Sequence, residues 1–351
     1  MSPRIVLLPG DGIGPEVVAA GRAVLERVSA RFALDLHFDE HPFGGAAIDA
    51  HGEPLPPTVL AACRSADAIL LGAIGGPKWA GVPTAIRPEA GLLALRRELG
   101  LYANVRPVKV HPALLDASPV KPDRARDVDF VVVRELTGGI YFGKTTRTAD
   151  RASDECAYTV AEIERVVRLA ARMARARSRR LVSVDKANVL ETSRLWRETT
   201  IRLMAAEFPD VALEHLLVDA MAMYLVSKPR SFDVIVTENL FGDILTDEAA
   251  AVAGSLGLMP SASLGDAGPG LYEPIHGSAP DIAGQGIANP CGTILSAALL
   301  LRHSLKHEAA AAAIEDAVHR TISDGVWTPD LAGPQGVGTE AVTAAVIARI
   351  G

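Results

Sequence analysis

The sequence predicts an α/β fold shared between two domains. Short β-rich runs alternate with longer helical patterns along the chain, the signature of helices laid on the faces of a sheet. At 351 residues the chain is longer than one hydrophobic core comfortably serves. Its 49% hydrophobic and 22% charged residues are an ordinary globular balance.

The elements follow in order. "RIVLLP" (4–9) reads as a buried strand, and a helix follows from Pro15 to about Arg31. Between them lies "PGDGIGPE" (9–16), which invites comparison with a dinucleotide fingerprint. The spacing fails, because Gly10, Gly12 and Gly14 alternate and Pro15 stands where the third glycine of G-x-G-x-x-G belongs. Pro15 suits the first turn of a helix, so the motif reads as a tight strand-to-helix turn and not as a standard Rossmann site. "DAILLGAIGG" (67–76) is a strand running into a glycine turn, "DVDFVVVREL" (127–136) is a strand, and "RLVSVDKANV" (180–189) begins as one. "FDVIVTEN" (232–239) is a strand feeding a helix that carries Asp243 and Asp247.

Two segments break the alternation. Residues 136–160 mix glycines with polar and short β-like stretches, as a protruding β arm would. Residues 259–292 read as one long loop rich in Gly, Pro and Ala, and loops of that length in compact proteins are usually functional. "RLAARMARARSRR" (168–180) looks basic. However, Val166, Val167, Leu169, Ala170, Met173 and Ala174 form a helical apolar stripe, and Thr159 with Glu162 makes a capping box. The arginines are then the solvated outer face.

Composition excludes several classes. A net charge of −7 argues against a bulk binder of nucleic acid or anionic membranes. Cys63, Cys156 and Cys291 are few, odd in number and far apart, which disfavours a disulfide framework or a zinc site. No apolar run reaches the length of a membrane span, and "RIVLLPGDGIGPE" follows the start with no signal-peptide pattern. The expectation is a cytoplasmic enzyme.

The candidate chemistry begins with "NLFGDILTDEAA" (239–250). Asp243 and Asp247 lie four apart, one above the other on a helix, where like charges repel. A hard divalent cation would use both, with Asp219 in "LLVDAMAMYL" (216–225) as a third candidate ligand. Spacing alone leaves this reading and a solvated helix face both open. Lys186 and Arg134 stand at strand ends and Tyr141 in a glycine-flanked segment, yet each alone also fits a surface or packing role. Arg96 and Arg106, in "ALRRELGLYANVRPVKV", also fit helix-surface ion pairs with Glu98.

The combination is more specific than its parts. "GGPKW", "RPEAGLLALR", "NVRP", "RELTGGIYFG", "VDKANVLE", "VDAMAMYLV", "NLFGDILTDEA", "SLGLMPSASLG" and "HGSAPDIAGQGIANP" occur in that order over most of the chain. This series resembles the 3-isopropylmalate dehydrogenase family, within the β-decarboxylating dehydrogenases that also act on isocitrate, homoisocitrate and tartrate or D-malate. The resemblance implies an isopropylmalate dehydrogenase-like two-domain α/β fold with mixed sheets, not a standard Rossmann fold. A cofactor domain would join residues 1–100 to 255–351. Residues 101–254 would carry the arm and most of a homodimer contact, with the active site shared between subunits. The reaction implied is oxidation of a 2-hydroxy acid by NAD, followed by loss of the carboxylate β to the new ketone.

Residue roles follow from the same resemblance. Asp243 and Asp247, with Asp219 of the partner subunit, would bind Mg²⁺ or Mn²⁺, which chelates the substrate and acts as a Lewis acid. Arg96, Arg106 and Arg134 would clamp two substrate carboxylates, a task suited to guanidinium forks. Lys186, delivered across the dimer, would take the hydroxyl proton, and Tyr141 would protonate carbon; both would need lowered pKa values. The cofactor would lie on Gly76, Pro77, Lys78, Trp79 and Glu89. It would be wrapped by His276, Gly277, Ser278, Ala279, Pro280, Asp281, Ile282 and Asn289. Asp281 would accept the ribose hydroxyls and repel a 2′-phosphate. Leu92, Leu93 and, across the dimer, Val189, near Glu89, would form an apolar pocket for an isopropyl group.

Two stretches depart from the family pattern: 147–157 in the arm, and "TPDLAGPQGVGTE" (328–340), longer than expected. Neither is expected to touch the catalytic set. The alternatives are a related dehydrogenase acting on homoisocitrate, on tartrate or D-malate or on another 3-substituted malate, or a binding protein that kept the fold without the chemistry.

Overall fold

The computed structural model describes residues 2–351. Among them the strands, in chain order, are β1 (Arg4–Gly10), β2 (His37–Glu40), β3 (Ala68–Ala73), β4 (Ala103–Lys109), β5 (Asp129–Glu135) and β6 (Thr145–Arg147). They continue with β7 (Ala152–Asp154), β8 (Arg180–Asp185), β9 (Ala212–Leu217), β10 (Val234–Thr237), β11 (Pro260–Leu264) and β12 (Gly270–Pro274). The chain divides into two compact units. One takes the residues up to Leu101, His111–Ala117 and Gly254–Gly351; the other takes Tyr102–Val110 and Ser118–Ala253. The strip His111–Ala117 therefore belongs to the first unit, although its sequence neighbours on both sides belong to the second.

In the first unit the strand order is β2-β1-β3-β12-β11. All pairs are parallel except β11 with β12, which run antiparallel. Both faces of β1 and β3 are covered, which is why their sequences are near-continuous apolar runs. Val6, Leu8, Ile69 and Leu71 meet Phe43, Leu95 and Leu271 in one core, and Leu92 packs against its edge.

The turn after β1 is built as its glycines suggested. Gly10 and Gly12 have φ of +74° and +59°, values that side chains with a Cβ rarely adopt. The helix Gly14–Phe32 then starts with proline in its first turn and ends at Ala33 in the left-handed region. Asp11 ties the turn down. Its carboxylate accepts the backbone N–H groups of Gly45, Ala46 and Gly75, each at 2.8 Å. Desolvation nevertheless pushes its carboxyl above the usual range.

One expectation changes here. Residues 259–292 are not one loop: β11 and β12 form a buried antiparallel hairpin, a long irregular stretch follows Pro274, and a helix begins at Cys291. Small residues hid it. "PSASL" has no β-branched or aromatic side chain, and its polar groups are satisfied internally, as when the Ser261 hydroxyl donates to Glu273 O at 2.9 Å.

In the second unit the order is β4-β5-β10-β8-β9, antiparallel only between β4 and β5. The helix Val160–Ala176 opens with the reciprocal Thr159–Glu162 capping box and buries Ile163, Val166, Val167, Ala170 and Ala174. Arg168 and Arg175 lie on its outer side, where Arg168 pairs with Glu207 and Arg175 with Asp210, whereas Arg165 turns in to the buried Glu135. The arm is a short exposed hairpin of β6 and β7, preceded by the 3₁₀ turn Gly139–Tyr141. Among the described residues no helix is long and apolar enough to cross a membrane.

Replacing Asp11 with alanine would strand three backbone donors. We expect a loss of about 3 kcal/mol, read as an earlier urea midpoint, with a smaller loss for Asp11→Asn. An unchanged midpoint for Asp11→Ala would show that water satisfies those donors equally well.

Candidate active site

The second unit assembles four of the expected residues around Asp243. Arg134, at the end of β5, is 3% exposed, so its guanidinium must be satisfied by protein. Nε and Nη2 donate to Asn239 Oδ1 at 3.0 and 2.7 Å, and Nη1 binds Asp243 Oδ1. Arg106, on β4, donates through Nε to Asn104 Oδ1 at 2.6 Å and through Nη1 to Thr246 Oγ1. Its Nη2 lies 3.9 Å from Asp243 Oδ1. Tyr141, 39% exposed, donates its hydroxyl to Asp243 Oδ2 at 2.8 Å, and the Arg134 guanidinium sits 5.7 Å from its ring centre. One carboxylate thus receives an arginine, a phenol and a second arginine at longer range.

The electrostatics follow from this packing. Desolvation, opposed by Arg106 but reinforced by the charge of Asp243, raises the Asp247 carboxyl above its ordinary range. Tyr141 is pushed up to about 12, first by desolvation and then by its hydrogen bond to Asp243 and that carboxylate's charge. The expected lowering of the Tyr141 pKa does not come from its protein neighbours alone. Arg134 does pull it down, but more weakly than burial and Asp243 push it up.

Lys186 and Asp219 form a separate pair. Lys186 follows β8, Asp219 opens the helix Val218–Ser227, and Nζ binds Asp219 Oδ1, which holds that carboxyl below its usual range. The Lys186 backbone is fixed by N–H donation to Ser193 Oγ at 3.0 Å. Beside it, Asp185 is gripped by Arg197 through two 2.8 Å bonds. Among the described residues of one chain, no three His, Cys, Asp or Glu side chains come together as a cation site. Asp219 therefore does not join Asp243 and Asp247 within a single chain.

The remaining candidates lie in the first unit. Arg96 is 8% exposed and pairs with Glu273 at 2.6 Å, while its buried Nε has no partner. Neither arginine makes the surface pair with Glu98: Arg106 is on a strand, and Glu98 is taken by Arg64. Leu92 and Leu93 sit half-buried on the helix Pro88–Glu98, whereas Val189 is 59% exposed in the second unit. Gly76, Pro77, Lys78 and Trp79 form a 3₁₀ turn and its cap, pinned where Lys78 and Trp79 both reach Asp49. The Glu89 carboxylate closes on Gly75, where an added Cβ would lie 2.8 Å from Oε1.

Beyond β12, Asp281 is exposed and its main-chain carbonyl accepts from Gln285 at 2.8 Å. His276 directs Nδ1 to Gly277 O at 2.9 Å, while its Nε2 is sealed from solvent without a partner. Desolvation keeps its ring pKa low, so the imidazole is neutral near pH 7. The 328–340 stretch is not remote from this loop: Asp330 Oδ2 accepts the Asn289 side-chain amide at 3.0 Å, and Thr339 N donates to Gly286 O at 2.9 Å.

Several participants escaped the sequence reading. Asn239, Asn104 and Thr246 orient the arginines, and Glu273 faces Arg96. Asn239 and Thr246 lie in the same short motif as Asp243, which was a usable signal. Glu273 lies 177 residues from Arg96 and offered none.

The isocitrate/isopropylmalate dehydrogenase family matches residues 4–346. The chain is 58% identical to the 3-isopropylmalate dehydrogenase of Anaeromyxobacter dehalogenans, covering 100% of both proteins. It is 57% identical to that of Rhodopirellula baltica, covering 100% of this chain and 99% of the relative. Among solved structures, isocitrate dehydrogenase from Methylococcus capsulatus matches with a TM-score of 0.88 at 38% identity, covering 99% of each chain.

Gly242 generates a test of the geometry. A Cβ there would lie 2.6 Å from Arg134 Cγ, so Gly242→Ala must move the arginine stem. We expect dehydrogenase kcat/KM to fall about a hundredfold, the size of a displaced positioning contact, with little change in thermal midpoint. Wild-type kinetics would show that the stem can give way without consequence.

Proposed function

The chain belongs to the isocitrate/isopropylmalate dehydrogenase family, and on that premise we propose that it carries out the NAD-dependent oxidative decarboxylation of (2R,3S)-3-isopropylmalate to 4-methyl-2-oxopentanoate and CO₂, a step of leucine biosynthesis. The observation that carries this reading is the end-to-end 58% identity to a 3-isopropylmalate dehydrogenase, against 38% to an isocitrate dehydrogenase.

The residues fit the groups that the reaction needs. Asp243 and Asp247 are hard oxygen donors one helical turn apart, and each raises the cost of the other's charge, a strain that Mg²⁺ or Mn²⁺ relieves. The bound cation would supply Lewis-acid polarisation of the substrate hydroxyl and of the charge left by decarboxylation. For NAD, which accepts the hydride, the first unit offers the partnerless His276 Nε2 and the exposed Asp281 carboxylate, which favours ribose hydroxyls over a 2′-phosphate.

The chain's own groups do the rest. Arg106 and Arg134 are preset by Asn104, Thr246 and Asn239, so little freedom is lost when they take a substrate carboxylate. Arg96 keeps a free Nε for the same purpose. Lys186 Nζ would take the hydroxyl proton as the neutral amine, released from its ion pair with Asp219. The Tyr141 hydroxyl, held near 12, carries its proton at neutral pH, as an acid must before it protonates carbon. Leu92, Leu93 and, across the dimer, Val189 would supply the apolar γ-pocket.

The site is shared in a homodimer. Within one chain Lys186 is paired with Asp219, and Asp219 forms no ligand cluster with Asp243 and Asp247, which supports a site completed by a partner copy. An apolar face suits that contact: Met223 and Val226 on Val218–Ser227 are 58% and 45% exposed, and Ile244 on the adjoining Asn239–Ala253 is 59% exposed.

A panel of 2-hydroxy acids, followed by NADH formation with Mg²⁺, tests the reading. The expected order is 3-isopropylmalate, then D-malate, then isocitrate. Isocitrate should be at least about a thousandfold poorer, because its extra carboxylate would be buried against leucines. EDTA should abolish turnover and added Mn²⁺ restore it. Faster turnover of isocitrate or homoisocitrate would overturn the apolar-pocket reading, and no turnover with any substrate would favour a binding role.

Sharing has its own test. Lys186→Ala and Asp243→Ala should each be nearly inactive, and subunit exchange between them should recover activity through the one site that holds both intact residues. Proven heterodimers without recovery would place Lys186 in its own subunit's site.

A further inference from the structure

Glu16 closes the motif "PGDGIGPE" yet has no part in the chemistry above. It lies in the first turn of the helix Gly14–Phe32, where an acid also favours the helix dipole. Its contacts go further. Oε1 accepts the backbone N–H of Ala288 at 2.9 Å and also the hydroxyl of Thr339. That hydroxyl, on a residue 4% exposed, lies 2.6 Å from Ala288 O and has a single proton to share between the two acceptors. The Thr339 backbone N–H reaches Gly286 O at 2.9 Å. Glu16 and Thr339 thus hold both polar groups of Ala288 and the carbonyl two residues earlier.

The other end of the same loop meets the same turn. Ile13 N donates to Ser278 O at 2.8 Å, and Gly12 is so close that a Cβ would lie 2.0 Å from that oxygen. Ile13, Val17 and Ala288 share a small buried cluster against which Ala279 and Ile282 pack. The loop from His276 to Asn289 has no strand or helix of its own, so its shape is set by these anchors.

We propose that Glu16 and Thr339 are positioning residues for the cofactor: they fix the backbone of residues 286–288, and through it the conformation in which the loop receives the adenosine half of NAD. This rests on the functional reading above. Neither side chain need touch the cofactor, so their loss should weaken cofactor binding and spare the chemical step.

Three variants test this: Glu16→Ala, Thr339→Val, which keeps shape but loses the hydroxyl, and Glu16→Gln, which keeps an oxygen for Ala288 N–H. Hydrogen exchange of the unliganded enzyme should be faster across residues 276–289 in Glu16→Ala and Thr339→Val. NADH affinity by fluorescence titration should fall about tenfold, the scale of one lost charge-assisted bond. KM for NAD should rise in proportion, with kcat at saturating NAD within about twofold and KM for 3-isopropylmalate unchanged. Glu16→Gln should recover most of the affinity, which mere helix-dipole compensation by a charged group would not allow. Should Glu16→Ala fail to fold, Thr339→Val and Glu16→Gln carry the test. Wild-type loop exchange and NADH affinity in the folded variants would overturn the proposal alone. A wild-type enzyme that bound no NADH would overturn the functional reading and the proposal together.

Discussion

Two carboxylates stacked one turn apart on the helix Asn239–Ala253 repel each other, and the second unit is organised around supplying positive charge to them. Arg134 and Arg106 converge on Asp243 from two neighbouring strands, and Tyr141 adds a neutral donor. Such a cluster can be held only by side chains that cannot swing away. The helix therefore has no Cβ at Gly242, where Arg134 crosses it, and Asn239 and Thr246 grip the two guanidiniums. The buried Glu238 caps the same helix start by accepting from Phe241 N at 2.7 Å and from the Tyr158 hydroxyl at 3.2 Å. Function and packing here use the same hydrogen bonds.

Much of this was legible because it is local. The strands at 4–10, 68–73 and 129–135 are apolar runs, the helix Val160–Ala176 declares its start with Thr159 and Glu162, and Asp243 and Asp247 announce themselves by spacing. The β11–β12 hairpin was not legible, since β11 is mostly serine, alanine and proline and β12 is bounded by glycine and proline, so both depend on neighbours that a linear reading does not see. Long-range partnerships were equally hidden. Arg96 finds Glu273 and not the nearby Glu98, because a buried guanidinium takes the partner that is buried with it.

The resemblance to a family supplied roles, and the geometry supplies physical reasons for them. Burial and the bond to Asp243 make the Tyr141 hydroxyl a donor that keeps its proton. The stretch 328–340, which matched the family poorly, meets the loop after Pro274 through Asp330 and Thr339.

The near-contact of Gly12 with the Ser278 carbonyl has a practical corollary for coenzyme engineering. Loops that choose between NAD and NADP are attractive units to transplant between homologues. In this chain residues 276–289, proposed above to receive the cofactor, have no strand or helix of their own; beyond a few internal turns, their mould is formed by residues 10–16 on one side and by the C-terminal stretch around Thr339 on the other. A donor loop grafted alone would be cast in the recipient's mould. The transferable module is discontinuous, three separate pieces of sequence that must be exchanged together.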